Sequence, residues 1–327
     1  MLLSIVVLSY NRPEQIKRIL DNFLGTPRGD FELVLKDDRS PRFQEIEDLV
    51  YQYQDRLQIA LRLHQNETNL GYDRNLIDAF SIVDSEYVFL LSDDDYIVGD
   101  KIEDLLQMLE ERQFDVYFTP YARDDGINRL PPKEGRFENF AHLIYNSILF
   151  SGLIFRRDRV LGLDKDMEFL ANCIYSQVYL SLLIIFETDS YGFAPSGVLM
   201  LGGDGENFFG KNEAATERTL LENREHVAAD LNYQAFLLRV IRKIALRTSM
   251  KIENDFIGEY KRRLISYGLR ARSIDFSTYL SFFRSYCKSE IPFYPLPAFF
   301  FLTFFFIPKS VAKFTNTQGR RSLRRSG

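Results

Sequence analysis

The sequence predicts an α/β fold: a mostly parallel sheet flanked by helices, followed by a C-terminal helical extension. Three observations predict it. Between residues 1 and 118, short apolar runs alternate with segments whose apolar residues recur at helical spacing, the pattern of βαβ units. Three of those runs end in polar clusters: Ser9-Tyr10-Asn11-Arg12, Asp37-Asp38 and Asp93-Asp94-Asp95. Ligands of open parallel sheets sit beyond the carboxyl ends of the strands, so the three clusters converge on one rim. From about residue 213 to 290 the pattern turns helical and more basic.

The elements follow in order. Residues 4–8 are a β-branched apolar run and the first strand. Asn11 can cap a helix, Pro13 suits its first turn, and Ile16, Ile19, Leu20 and Phe23 recur along one face. Residues 31–35 form a second strand, and Ile46, Leu49, Val50 and Tyr53 a second helix. A third strand spans 59–63. Asn69-Leu70-Gly71 is a turn that opens a helix carrying Leu76, Ile77 and Phe80. The run 87–91 is a fully buried strand, followed by a helix near 100–112 and a strand at 115–118. Residues 119–147 look irregular, with Pro120, Gly126, Pro131, Pro132 and Gly135. A strand at 149–155 is interrupted by Ser151-Gly152, a helix at 168–186 is apolar on most faces, and 191–201 is a strand. Residues 202–210 are a glycine-rich loop without the Gly-Lys-Ser/Thr ending of a phosphate loop; it reads as plain loop or as a lid. No internal repeat is present.

Composition narrows the function. At 327 residues and 46% hydrophobic content the chain can bury a large core. Two distant cysteines, Cys173 and Cys287, have no metal-ligand spacing and suit burial or a reducing compartment. Three histidines make a histidine-rich metal site a poor fit. Residues 211–327 carry 21 Lys/Arg against 10 Asp/Glu, whereas residues 1–210 carry 20 against 36. An acidic body excludes a nucleic-acid groove there; a basic C-terminal region suits an anionic surface. The apolar N-terminus lacks a basic leader region and a cleavage site, so it reads as strand rather than signal peptide.

Asp93, Asp94 and Asp95 carry the chemistry. Three adjacent acids repel one another unless a cation neutralises them. Oxygen ligands at a strand end suit Mn²⁺ or Mg²⁺, which bind through one or two carboxylates plus substrate phosphates. The bland alternative is a solvated acidic turn.

With these residues in view, the chain resembles the inverting family 2 glycosyltransferases, whose nucleotide-sugar-binding domain has the GT-A fold. The resemblance covers roughly residues 1–205 and rests on Ser4 to Arg12, Asp37-Asp38-Arg39-Ser40, Asn69-Leu70-Gly71 with Arg74-Asn75, and Ser92 to Asp95. Within the family it is most similar to transferases that build bacterial surface polysaccharides, including the abequosyl type. It implies that Leu8, Ser9 and Tyr10 flank the nucleotide base and that Asp38 bonds the base or ribose, with Asp37 in support. Arg74 and Asn75 would face the ribose or diphosphate. Asp93 would contact the ribose side, Asp94 would be the main metal ligand, and Asp95 would reach the metal's water shell or the sugar. Many members carry an acid where Ser92 stands, which leaves the ligand set within 93–95 open. Members also carry an acidic pair where this chain reads Asn172 to Gln177 without an acid. Asp166 is the expected general base, with Asp164, Glu168, Asp204 and Glu206 as alternatives. Arg156, Arg157 and Arg159 read as phosphate contacts or a solvated rim, His142 as packed and His226 as surface.

Thirteen residues, 296–308, hold six phenylalanines, and six basic residues lie at and beyond Lys309. The ten apolar residues would make a helix of about 15 Å, too short for a hydrocarbon core of about 30 Å. Insertion into the interface beside anionic lipid is the expected use, with packing on the body or in a homo-oligomer as the alternative. The expected organisation is a catalytic domain at 1–210, a helical extension at 211–290 and a membrane-associating tail at 291–327. The expected donor is a nucleotide diphosphate sugar, and the expected acceptor a glycan on polyprenyl diphosphate at the cytoplasmic face of the inner membrane. The rival reading is a non-catalytic sugar-nucleotide-binding or scaffold protein. A nucleotidyltransferase would want a glycine-rich basic loop after the first strand, which Ser9 to Pro13 does not supply.

Overall fold

A computed structural model describes residues 1–123, 128–129, 131–132, 135–202, 224–288 and 295–312. The chain divides into two compact units, Met1–Gly205 and Glu206–Gly327.

The first unit opens with β1 (Leu3–Ser9), α1 (Pro13–Asn22), β2 (Phe31–Asp37), α2 (Phe43–Gln54), β3 (Ala60–Gln65), α3 (Tyr72–Asp78) and β4 (Tyr87–Ser92). It continues with β5 (Tyr96–Ile97), α4 (Ile102–Glu111), β6 (Val116–Phe118), β7 (Tyr121–Arg123), β8 (Asn128–Arg129), α5 (Phe140–Ser147), β9 (Leu153–Arg156), α6 (Arg157–Gly162), α7 (Met167–Leu170), α8 (Ser176–Thr188), β10 (Tyr191–Phe193) and β11 (Leu199–Leu201). A seven-stranded sheet runs β10-β6-β9-β4-β1-β2-β3. Every pairing in it is parallel except those of β9, which is antiparallel to both β4 and β6. The residues of β1 and β2 are buried throughout, as expected of parallel strands covered on both faces. A second sheet, β5-β11-β7-β8, lies beyond β4 in the chain and includes β11.

Helices cover the large sheet through single apolar stripes. Pro13 opens α1, where a missing N–H costs nothing, and Ile16, Ile19 and Leu20 are its buried face. Leu105, Met108 and Leu109 do the same for α4. By contrast α8 is buried from Ser176 to Ile185, as its nearly uniform apolarity predicts.

Three sequence expectations need correction. The helix expected over 168–186 is two, α7 and α8, because Ile174 adopts a left-handed φ of 65° between them. The strand expected over 191–201 is likewise two, in different sheets: β10 ends at Phe193, and Gly197 at φ 86° turns the chain into β11. Residues 119–147, read as irregular, contain β7, β8 and α5; Asn139 caps α5 by accepting from the His142 N–H at 3.0 Å.

The second unit is helical: α9 (Arg224–Ala245), α10 (Met250–Ile274), α11 (Phe276–Lys288) and α12 (Pro295–Phe304). Along α10, Ile252, Phe256, Tyr260, Leu264, Gly268 and Ala271 form one buried stripe. Phe301 of α12 packs edge-on against Phe282 at 5.2 Å and Tyr286 at 5.0 Å. A Cβ at Gly268 would come within 2.6 Å of the Phe301 ring, so glycine admits α12 there. The Tyr279 hydroxyl donates to the Phe301 carbonyl, and Arg272 Nε donates to the Phe304 carbonyl at 3.0 Å. Among the described residues no helix is long and apolar enough to cross a membrane.

Candidate active site

Strand register assembles the site. Ser9 pairs with Asp37, and Leu8 pairs with both Lys36 and Ser92, so the three polar clusters lie side by side at the carboxyl ends of β2, β1 and β4. The Asp38 N–H donates to the Ser9 carbonyl at 2.9 Å. The Asp37 carboxylate accepts from the Ser40 N–H at 2.9 Å and from the Ser40 hydroxyl, whose oxygen accepts from the Asn11 N–H at 2.6 Å. Asn11 (φ 59°) and Arg39 (φ 64°) both take the left-handed conformation, which turns the chain sharply at each strand end. Leu8 and Ser9 are buried, while Tyr10 is exposed on the rim.

Asp38 is buried and anchors the turn before α3. Its oxygens accept from the N–H groups of Leu70 at 2.7 Å and Gly71 at 2.9 Å, and from Asn66 Nδ2 at 2.7 Å. Asn66 also donates to Asn75 Oδ1 at 2.8 Å and accepts from Lys36 Nζ, which pairs with Asp78 at 2.8 Å. Lys36 is fully buried within this network, and burial of the neighbouring His64, helped by the Lys36 charge, holds its imidazole below the usual range. Thus Asp38 and Asn75 are joined through Asn66. Arg74, on the first turn of α3, is exposed.

The acidic trio is unevenly buried. Asp93 and Asp95 are 6% and 5% exposed, and Asp94 between them is half-buried. Asp93 Oδ1 accepts from Arg12 at 2.9 Å. Asp94 Oδ1 accepts from the Ser92 hydroxyl. Asp95 Oδ1 accepts from the Gly202 N–H at 3.1 Å, and its carboxylate is also bonded by Ser151, whose oxygen takes the Ser92 N–H at 3.2 Å. Burial pushes the Asp93 carboxyl up to about 6 against the pull of Arg12, and Asp94 pushes it further. Burial and the Asp94 charge push Asp95 up to about 7. Arg12 offsets only part of this buried acidity, and a divalent cation fits what is left. Among the described residues no group of three His, Cys, Asp or Glu could enclose a metal alone. A metal on Asp94 would therefore complete its shell with ligand oxygens and water, as Mn²⁺ and Mg²⁺ do.

Arg12, Asn66, Ser151 and Gly202 also build the site, without a sequence signal that assigns them to it. Arg12 and Ser151 stood in motifs already noted, but a strand-end arginine and a strand-interrupting serine point to no partner across 81 or 56 residues. At Gly202 a Cβ would fall 1.8 Å from the Asp94 carbonyl oxygen, so only glycine permits the approach.

Asp73 is a further buried carboxylate. It accepts from the N–H groups of Ile174 at 2.8 Å and Ser176 at 3.3 Å, and lies 3.7 Å from the Cys173 thiol, which burial pushes well above its usual range. It thereby ties α3 to the turn that starts α8, the acid-free stretch 172–177. Asp166 is half-buried and caps α7, accepting from the Phe169 N–H at 3.0 Å. Asp164 and Glu168 flank it and are exposed. Asp204 and Glu206 lie outside the described residues, as does most of the glycine-rich loop. The side chain of His226 lies outside them too. His142, expected to be packed, is half-exposed at 3.9 Å from Glu138. Arg156, Arg157 and Arg159 pair with Glu86 and Asp158, Asp84, and Asp115, respectively.

Comparison with known proteins bears on this arrangement. The family model described as "Glycosyl transferase family 2" matches residues 4–180. The chain is 21% identical over 240 residues to the abequosyltransferase RfbV of Salmonella typhimurium, covering 65% of this chain and 70% of that protein. It is 25% identical over 189 residues to an uncharacterized glycosyltransferase of Methanocaldococcus jannaschii, covering 53% of this chain and 64% of the relative. Among solved structures, S. aureus TarS 1–349 in complex with UDP-GlcNAc matches with a TM-score of 0.53 at 16% identity, over 88% of this chain and 92% of that one. The mannosyltransferase PcManGT from Pyrobaculum calidifontis, in complex with GDP-Man and Mn²⁺, matches with a TM-score of 0.55 at 12% identity, over 96% and 84%. The fold is the GT-A fold of these enzymes.

Proposed function

The chain belongs to glycosyl transferase family 2, and from that premise we propose that it moves a monosaccharide from a nucleotide diphosphate sugar to a hydroxyl of a lipid-linked glycan, with inversion at the anomeric carbon, in building a cell-surface polysaccharide such as O-antigen or capsule. The observation that carries this reading is the acidic trio. Two buried carboxyls flank a half-buried third at the carboxyl rim of the sheet, where a cation and a diphosphate would complete the charge balance.

The roles follow from position. Leu8, Ser9 and Tyr10 line the rim of β1 for the base, and Asp38 and Asn75, joined through Asn66, shape the ribose side. Arg74 is the exposed cation of α3 for the diphosphate. Asp93, oriented by Arg12, faces the ribose side. Asp94 is the metal ligand, with Asp95 behind it. Mn²⁺ or Mg²⁺, when bound, supplies Lewis-acid stabilisation of the leaving diphosphate. Asp166 is the base that takes the acceptor hydroxyl proton, its carboxylate steadied by the cap of α7. TarS with UDP-GlcNAc and PcManGT with GDP-Man and Mn²⁺ support a nucleotide-sugar donor and a divalent ion. The acceptor is proposed to be carried on polyprenyl diphosphate, with the protein held peripherally at the cytoplasmic face of the inner membrane by residues 291–327.

Asp94→Ala tests the reading. Donor hydrolysis and transfer in Mn²⁺ should fall by about 10²-fold or more, with an unchanged melting temperature in metal-free buffer. Wild-type turnover in Asp94→Ala would end the metal role. One observation favours a second reading, a non-catalytic sugar-nucleotide-binding module: the stretch 172–177 has no acid and is held by Asp73. Donor binding without any hydrolysis or transfer in Mn²⁺ would establish it.

A further inference from the structure

The phenylalanine-rich segment does two jobs. Phe301 and Phe304 are buried, 0% and 4% exposed, and lock α12 onto its own unit. Phe299, Leu302 and Phe306 are 62%, 58% and 87% exposed. Their spacing of three and four residues sets the first two on one face of α12 and the third just past its end, making a ridge of large apolar side chains in water. Single exposed apolar residues are ordinary; three large ones within eight residues of chain mark a contact surface.

The charge around the ridge identifies what it meets. From residue 291 to the last residue, 327, the sequence holds no Asp or Glu. Lys309, Lys313, Arg320, Arg321, Arg324 and Arg325 follow the ridge. Arg272 adds a cation at the carboxyl end of α12, bonded to the Phe304 carbonyl and over the Phe276 ring at 5.3 Å. A protein interface mixes signs around an apolar centre; along residues 291–327 one sign alone accompanies the apolar side chains, with Asp275 the acid nearby at the start of the preceding helix. Apolar insertion beside a polybasic segment is the two-signal form of reversible membrane attachment. We propose that Phe299, Leu302 and Phe306 are the bilayer-inserting wedge of this protein and that its partner is an anionic phospholipid surface. The wedge lies along the interface without crossing, since α12 has ten residues. This rests on the membrane contact proposed above and is independent of glycosyl transfer, because vesicle binding needs neither donor nor acceptor.

The chain has no tryptophan, so Phe306→Trp makes a single fluorescent reporter at the most exposed ridge position. In the otherwise intact protein, vesicles of phosphatidylcholine with phosphatidylglycerol should shift its emission to the blue, and brominated acyl chains should quench it. Phosphatidylcholine alone should give about a tenfold weaker response. Adding Phe299→Glu and Leu302→Glu should abolish the response, with circular dichroism unchanged. An unshifted reporter with anionic vesicles overturns the proposal. So does an equal response on neutral vesicles. A blue shift that grows with protein concentration without vesicles, with a dimer by light scattering, overturns it in favour of a subunit interface.

Discussion

Asp95 illustrates how burial at the rim trades stability against function. Its carboxyl is pushed up to about 7, and that of Asp93 to about 6. A carboxyl whose pKa rises on folding binds its proton more tightly in the folded state, so the metal-free fold is favoured at low pH and loses that stability as pH climbs from about 4 through 7. Asp95→Asn removes the charge and keeps an acceptor for the Gly202 N–H. It should raise the metal-free melting temperature at pH 8 by a few degrees, an effect on the order of 1 kcal/mol, leave it nearly unchanged at pH 4, and reduce Mn²⁺-dependent turnover. Thermal melts at the two pH values check the sign. Asp166 allows a separate decision. Asparagine caps helices as well as aspartate, so Asp166→Asn spares the cap of α7 and removes the proposed base. Turnover should fall by about 10²–10⁴-fold with the fold intact; full activity would leave Asp166 a capping residue only.

Among the elements, those read from local signals are found close to where the pattern sets them. The first strand, expected over 4–8, is Leu3–Ser9, and the second, expected over 31–35, is Phe31–Asp37. The misses have two causes: short local devices inside stretches read as one piece, such as Gly197 and the Asn139 cap, and long-range bonds that no local pattern encodes. The helix break at Ile174 is held by Asp73, a hundred residues earlier in the chain. The rim clusters were legible because each sits at the end of a strand that declares itself. Their partners were not, since Arg12 reaches Asp93, and Gly202 reaches Asp95, only once the sheet is assembled. Asp73→Ala leaves two N–H groups of the 174–176 turn unpaired, the buried one of Ser176 and the partly buried one of Ile174. It should cost about 1–3 kcal/mol, read as a lower denaturation midpoint, and loosen the start of α8, read as faster proteolysis there.

For the whole molecule, charge and composition state the organisation that local patterns leave implicit. An acidic first unit and a basic second one are visible in residue counts alone. That α12 is half core was not visible, because six phenylalanines in thirteen residues carry no period that separates inside from outside. The consequence is practical. Removing 291–327 would strip Phe301 and Phe304 from Phe282, Tyr286 and Tyr279. Losing a buried phenylalanine costs about 3–5 kcal/mol, so this truncation should unfold the second unit, seen as loss of helical signal in circular dichroism. Retention of full helicity would show that α12 adds little to its unit.

The amide of Gly202 donates to the Asp95 carboxylate, and the Asp94 carbonyl lies where a Cβ of this residue would be. Its proton is therefore a native gauge: deuterium uptake at this one position should slow when Asp95 is ionised and change again once a counter-charge arrives beside it. A single peptide bond can thus report the electrical state of the rim without any label.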